Sequence, residues 1–262
     1  MISILGIPLD ENSSFLKGAA KAPRLIMDAF HSDASNMFSE SGVNCADPNT
    51  ITELGDMQLS TGELSMVFIR KTVQKELNHG QKVISLGGDH SVTFPIIQAY
   101  NQSYPDLNIL HVDAHPDLYD NFENNPHSHA SPFARIMENG LVKRLVQVGI
   151  RTLNDQQKEQ VERFGVEVIE MRDFDSSISL SFDGPVYVSI DLDGLDPAFA
   201  PGVSHHEPGG LSSRELINLI HHMDAQVVGG DIVEFNPDRD INDITATVSA
   251  KLLKELIGKI IK

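Results

Sequence analysis

The chain has 262 residues, 40% of them apolar, and a formal charge of −17, which fits a globular protein with a sizeable core. That acidity argues against nucleic acid as a partner, and no run nears the roughly 18 apolar residues that a membrane span needs. A lone cysteine, Cys45, excludes an internal disulfide and a thiolate metal cluster. Met1–Leu9 lacks a basic flank and a long apolar stretch, so no signal peptide is expected and the expected compartment is the cytosol. No repeat or linker divides the chain, so residues 1–262 read as one domain.

In chain order, Ile2–Leu5 reads as a strand, and residues 35–60 as a long polar surface excursion. Over 62–79, Leu64, Val67, Phe68, Val73 and Leu77 recur at helical spacing, and Gly80 is the expected stop. Lys82–Leu86 is a buried-type strand, Phe94–Tyr100 a helix and Leu107–Val112 a strand. Helices follow at Ser131–Glu138 and Asp155–Arg163, with strand Leu145–Ile150 between them. Val166–Glu170, Val186–Ile190 and Gln226–Val233 are further strands. Ser212–His222 is a helix whose Ser212 or Ser213 serves as cap, with Glu215 in the first turn. The last helix has Asp243 as its expected cap and Ile244, Val248, Leu252, Leu256 and Ile260 on one stripe. This alternation predicts an α/β fold with a mostly parallel sheet covered on both faces.

In such sheets, ligands bind beyond the carboxyl ends of the strands. Four strands here end in reactive runs: Gly87-Gly88-Asp89-His90, Asp113-Ala114-His115-Pro116-Asp117, Asp191-Leu192-Asp193 and Glu234-Phe235-Asn236-Pro237. On an extended chain, alternate residues share a side, so Asp113, His115 and Asp117 project together, as do Asp191 and Asp193. So many carboxylates repel one another, and bound cations relieve that. Two divalent ions cancel Asp113, Asp117, Asp191 and Asp193, while His90 and His115 complete six ligands without adding charge. Oxygen and imidazole donors without sulfur suit Mn²⁺, with Fe²⁺, Co²⁺, Ni²⁺ or Zn²⁺ as alternatives. Two such ions about 3.5–4 Å apart bridge a hydroxide, a strong nucleophile at neutral pH. Taken singly, an Asp after a strand is usually a cap and a Gly-Gly pair a turn; the signal lies in their joint recurrence at strand ends. His111 reads as a core histidine pointing away from Asp113 and its neighbours.

These segments, GGDHS (87–91), DAHPD (113–117), SIDLDGLDPAFAPG (189–202) and VEFNP (233–237), resemble the signatures of the ureohydrolase family of arginases, agmatinases, guanidinobutyrases and formimidoylglutamases. The likeness runs from GIPLDENSSF (6–15) to the final helix. SHASPFARIMENG (128–140), LVQVGIR (145–151) and DPAFAPGVSHHEPGGLSSREL (196–216) look most like the plant-type arginase branch and its bacterial relatives. The resemblance implies a three-layer α/β/α fold, two Mn²⁺ per subunit held by the same six residues, and a homo-oligomer, trimeric or hexameric. It implies hydrolysis of a small cationic guanidino substrate to urea and an amine, with L-arginine ranked first, agmatine second and other guanidino acids behind.

By the same resemblance, Glu234 grips the guanidinium, His129 shuttles protons to solvent and Asp117 passes a proton to the leaving amine. Asp196 with Pro197 shapes a turn behind the ligands. Asn121, Asn125, His127 and His205 are the candidates for lining the substrate's tail. Only Asp155 is acidic in residues 152–157, which speaks against the animal-arginase grip on the α-amino group. Two other classes compete: a single-zinc deacylase, which would lack one ion's ligands, and a non-catalytic metal-binding regulatory relative, which tends to lose ligands. Neither loss is visible.

Overall fold

The computed structural model describes all 262 residues. Eight parallel strands form one sheet: β1 (Ile2–Gly6), β2 (Ile51–Asp56), β3 (Lys82–Leu86), β4 (Asn108–Val112), β5 (Arg144–Ile150), β6 (Glu167–Glu170), β7 (Ser181–Asp191) and β8 (Asp224–Val233). Their spatial order is β2-β1-β3-β8-β7-β4-β5-β6. The helices are α1 (Ala22–Phe30), α2 (Glu63–Asn78), α3 (Thr93–Ser103), α4 (Pro132–Glu138), α5 (Asp155–Phe164), α6 (Ser213–His222) and α7 (Ile244–Ile261).

The period of two along each strand builds two cores. Val186, Val188 and Ile190 of β7 face a core with α1, α6 and α7, while Tyr187 between them faces a second core with α2, α3 and α4. The result is the expected three-layer α/β/α sandwich. Fully buried side chains such as Leu252 and Leu256 of α7 contribute about 1.5–3 kcal/mol each.

The polar excursion expected over 35–60 contains β2, which pairs in parallel with β1 at the sheet edge. Its sequence, ITELGD, shows no apolar alternation because almost every residue is exposed. α1, which the sequence reading leaves unassigned, packs against α7. In α2 the buried ridge is Ser65, Ile69, Val73 and Leu77, one residue every four, whereas Leu64 and Phe68 are 70% and 47% exposed. Apolar spacing there marks a stripe broader than the packed face. Ser212 caps α6 in a full capping box with Glu215. Asp243 makes no side-chain cap on α7; Asp240 does that work, accepting from the backbone N–H of Thr245 and Ala246.

Candidate metal centre and substrate cleft

The four strands with reactive ends, β3, β8, β7 and β4, are consecutive neighbours in the middle of the sheet. After β3 the chain turns under Leu9, and a Cβ on Gly88 would lie 1.8 Å from the Leu9 carbonyl oxygen. Only glycine fits. Asp89 then ties two segments together, accepting from the backbone N–H of Ser91 through Oδ1 and of Asn12 through Oδ2. Beside β4, Gly149 adopts φ 102°, and a Cβ there would sit 2.7 Å from the Asp113 carbonyl oxygen.

All six expected ligands meet. His90 Nδ1 lies 3.3 Å from Asp113 Oδ2 and 3.1 Å from both Asp117 Oδ2 and Asp191 Oδ2. His115 Nδ1 lies 3.3 Å from Asp113 Oδ1 and 3.2 Å from Asp193 Oδ2. Asp113 therefore serves both donor groups, one oxygen toward each. All are buried except His115, which is half-buried at the cleft floor.

These residues fit divalent cations. His90 Nδ1 is buried and aligned for a hydrogen bond with none of the oxygens around it. At its other nitrogen, Nε2–H donates to Ser189 Oγ (3.0 Å), because that hydroxyl donates onward to Asp231 Oδ1 (2.7 Å). Asp231 also accepts from Thr93 and Tyr187. The chain of bonds leaves Nδ1 as the nitrogen aimed at the carboxylates, as a metal ligand requires. Burial opposes charge on His90, yet Asp113, Asp117 and Asp191 hold its pKa well above the ordinary value. A cation at Nδ1 would take the place of that proton. Burial, then the charge of Asp113, pushes Asp117 up to about 7; burial and neighbouring Asp193 push Asp191 well above the ordinary carboxylate value. Such a cluster is short of positive charge.

Two non-glycine residues here are left-handed, Asp117 (φ 49°) and Glu234 (φ 63°). Each costs about 1–3 kcal/mol and turns its carboxylate into the cleft. Glu234 Oε1 accepts from the His90 backbone N–H (2.9 Å) and from His129 Nδ1 (2.8 Å). Oε2 has no partner in the protein and is free for a ligand. The far side of the His129 ring, Nε2, meets the half-exposed Ser14 hydroxyl at 2.8 Å. Burial opposes protonation of His129, but Glu234 outweighs it and raises the pKa to about 9; the same pairing lowers Glu234 despite its burial.

A family profile described as "Arginase family" matches residues 1–258. The chain belongs to the arginase family. It is 46% identical to "Arginase 1, mitochondrial" of Arabidopsis thaliana over 99% of this chain and 81% of that one. The solved arginase from Medicago truncatula superposes with a TM-score of 0.95 at 45% identity, covering 99% of this chain and 87% of that chain. N(1)-aminopropylagmatine ureohydrolase of Thermus thermophilus is 34% identical over 98% of this chain and 89% of that protein. These findings correct one expectation. The Arabidopsis thaliana and Medicago truncatula relatives are named mitochondrial, and a second Arabidopsis thaliana arginase chloroplastic/mitochondrial, so the cytosolic placement is withdrawn.

In this arginase-family chain a cleft of about 200 Å³ opens above the ligands. His205 lines it, its ring 5.4 Å from His129 and 5.7 Å from His115. Asn125 and His127 do not; they border a separate groove, where Asn125 donates to Asn12 Oδ1 and His127 stacks on Phe94. Asn121 is exposed and lines neither. The cleft instead takes Ser14, Tyr119, Phe122 and Glu207 from loops and Gln157 from the first turn of α5. Glu207 Oε1 lies 3.9 Å from His115 Nε2, and its side chain is 41% exposed at the mouth. Arg151 fixes that loop to the floor, donating to the carbonyls of Glu207 (2.8 Å), Asp193 (2.6 Å) and Gly149 (2.9 Å). Asp196 does the same from below, accepting from the N–H groups of Ala198, Gly209 and Gly210. His111 faces Asp113 rather than turning away, with Nε2 at 2.8 Å from Oδ2. Positions 111 and 113 share one side of an extended chain, so the expectation had the parity reversed.

Proposed function

We propose that this chain is a one-domain, manganese-dependent ureohydrolase that hydrolyses L-arginine to urea and L-ornithine. The observation that carries the reading is the pair of donor groups sharing Asp113 at the ends of β4 and β7, under a cleft whose floor is anionic. His90, Asp113, Asp117 and Asp191 would hold one Mn²⁺, and Asp113, His115, Asp191 and Asp193 the second. When bound, the ions would supply Lewis acidity that lowers the pKa of a water toward neutrality.

The chain's own residues do the rest. Glu234 Oε2 accepts N–H groups of the guanidinium, while His129 and the His90 amide keep Oε1 from rotating away. Guanidinium is a dull electrophile, so holding its carbon close to the nucleophile is a large part of the acceleration. Asp117 carries a proton to the departing amine nitrogen. His129 exchanges protons with solvent through the hydroxyl of Ser14. Glu207 is the lining carboxylate left outside both the ligand cluster and the Glu234–His129 pair, and it stands where the ammonium on the substrate's tail would lie. The homo-oligomer implied by the resemblance belongs to this proposal, and light scattering reads it.

One observation favours agmatine as the second reading: no Lys or Arg lines the cleft to pair with the α-carboxylate of arginine. The test is urea release from L-arginine, agmatine and 4-guanidinobutyrate at fixed Mn²⁺. Arginine is expected to lead in kcat/KM; a tenfold advantage for agmatine overturns the ranking. No urea from any guanidine overturns the reaction.

A further inference from the structure

We infer that His111 is a positioning residue for the metal centre: one buried hydrogen bond from it fixes the plane of Asp113, the carboxylate both donor groups share. The inference rests on the proposed role of the six ligands.

Parallel pairing of β4 with β5 sets His111 opposite Gln147. The Gln147 amide lies 2.7 Å from the Pro116 carbonyl oxygen, which only accepts, so its NH₂ must point there. The same nitrogen is 3.0 Å from His111 Nδ1, which therefore accepts. The ring proton is left on Nε2, which donates to Asp113 Oδ2 at 2.8 Å. His111, Asp113 and Gln147 are each 0% exposed, so no water competes for these bonds. Phe133 stacks on the imidazole with centroids 3.9 Å apart and holds its plane.

The consequence falls on Asp113. Oδ1 accepts from the backbone N–H of His115 at 2.6 Å, and Oδ2 accepts from His111. Each oxygen then has one fixed donor and further acceptor capacity. Oδ2 faces His90 Nδ1 and Oδ1 faces His115 Nδ1, both at 3.3 Å. Rotation about the Asp113 Cβ–Cγ bond would spoil both donor groups together, and the His111 bond opposes that rotation. His111 is not itself a ligand in this arrangement, since one ring nitrogen donates to Asp113 and the other accepts from Gln147.

The experiment is calorimetric titration of Mn²⁺ into the metal-stripped full chain, with thermal melts alongside, for wild type, His111→Phe and His111→Gln. The Phe variant is expected to fold and to take up the wild-type number of ions at saturation, with affinity lowered about 10–100-fold. Its KM for arginine at saturating Mn²⁺ should match wild type. The Gln variant, whose Nε2–H reaches a similar point, should recover most of the affinity. A folded Phe variant with wild-type affinity overturns the inference, as does a Gln variant no better than Phe. Loss of one ion even at saturation overturns it too, by making His111 a ligand. If the Phe variant does not fold, Gln147→Leu takes its place: weaker Mn²⁺ binding supports the inference and unchanged binding sinks it. Wild type that binds no Mn²⁺ would fail the metal-centre reading itself, whereas wild-type binding with an indifferent His111 variant fails only this step.

Discussion

The floor and the mouth of the cleft are built differently. Floor residues His90, Asp113, Asp191 and Asp193 leave regular strands, are buried, and are fixed by bonds to backbone or to buried side chains such as Ser189 and His111. Mouth residues Ser14, Tyr119, Phe122 and Glu207 come from three loops and are half-exposed. On the proposed function the contrast separates reaction from selectivity: the floor would decide what is done to a guanidinium, and the mouth which guanidinium arrives.

Breaking the floor should cost most. Asp191→Ala or His115→Ala should cut urea formation by roughly a thousandfold or more and lower bound Mn²⁺, read by turnover and metal analysis. Near-normal turnover in either would erase the distinction between floor and mouth. On the boundary, His129→Ala should lower kcat by about 10²–10⁴-fold with metal content unchanged. Loss of metal in that variant would move His129 to the floor. At the mouth, Glu207→Gln should raise KM for arginine about tenfold, as expected for one charge-assisted hydrogen bond, with kcat nearly kept. It should leave 5-guanidinopentanoate, which lacks the ammonium, unaffected; an equal loss for both substrates would show that Glu207 acts through His115 instead.

The smallest effect joins the two regions. Asp196 is held below its ordinary pKa by the N–H groups of Ala198 and Gly209, with burial opposing weakly. A depressed carboxylate stabilises the fold at pH above its unfolded value, and that contribution fades as pH falls through the folded value. Asp196→Asn should therefore lower Tm by at most a few degrees at pH 7, with the gap to wild type closing below about pH 3.8. A gap that persists into acid would assign the loss to shape rather than charge.

The same division explains what the sequence reveals. Asp113, His115 and Asp117 alternate within one segment, so a periodicity of two brings them together before any tertiary contact is known. Alternation along β4 also carried His111 to Asp113, although that parity was misjudged. Asp231 had a usable signal: an acid inside the apolar run Val227–Val233 must find buried partners, and it finds three hydroxyls. Glu207 and Ser14 had none, because loops have no period and the mouth joins positions almost two hundred residues apart. Asn125 and His127 sit close in sequence to His129, but the turn at Phe122–Asn125 directs them into the neighbouring groove. β2 stayed hidden because an exposed edge strand needs no apolar code.

The position of β8 has a temporal consequence. It is the last strand made, yet it is the only link between the β2-β1-β3 half of the sheet and the β7-β4-β5-β6 half. While the chain is emerging from the ribosome, His90 and the four aspartates belong to two unjoined half-sheets. The meeting of His90 with Asp113, Asp117 and Asp191 therefore waits until residues 224–233 have been synthesised and slotted between β3 and β7. A nearly complete polypeptide is the earliest species in which all six side chains can gather.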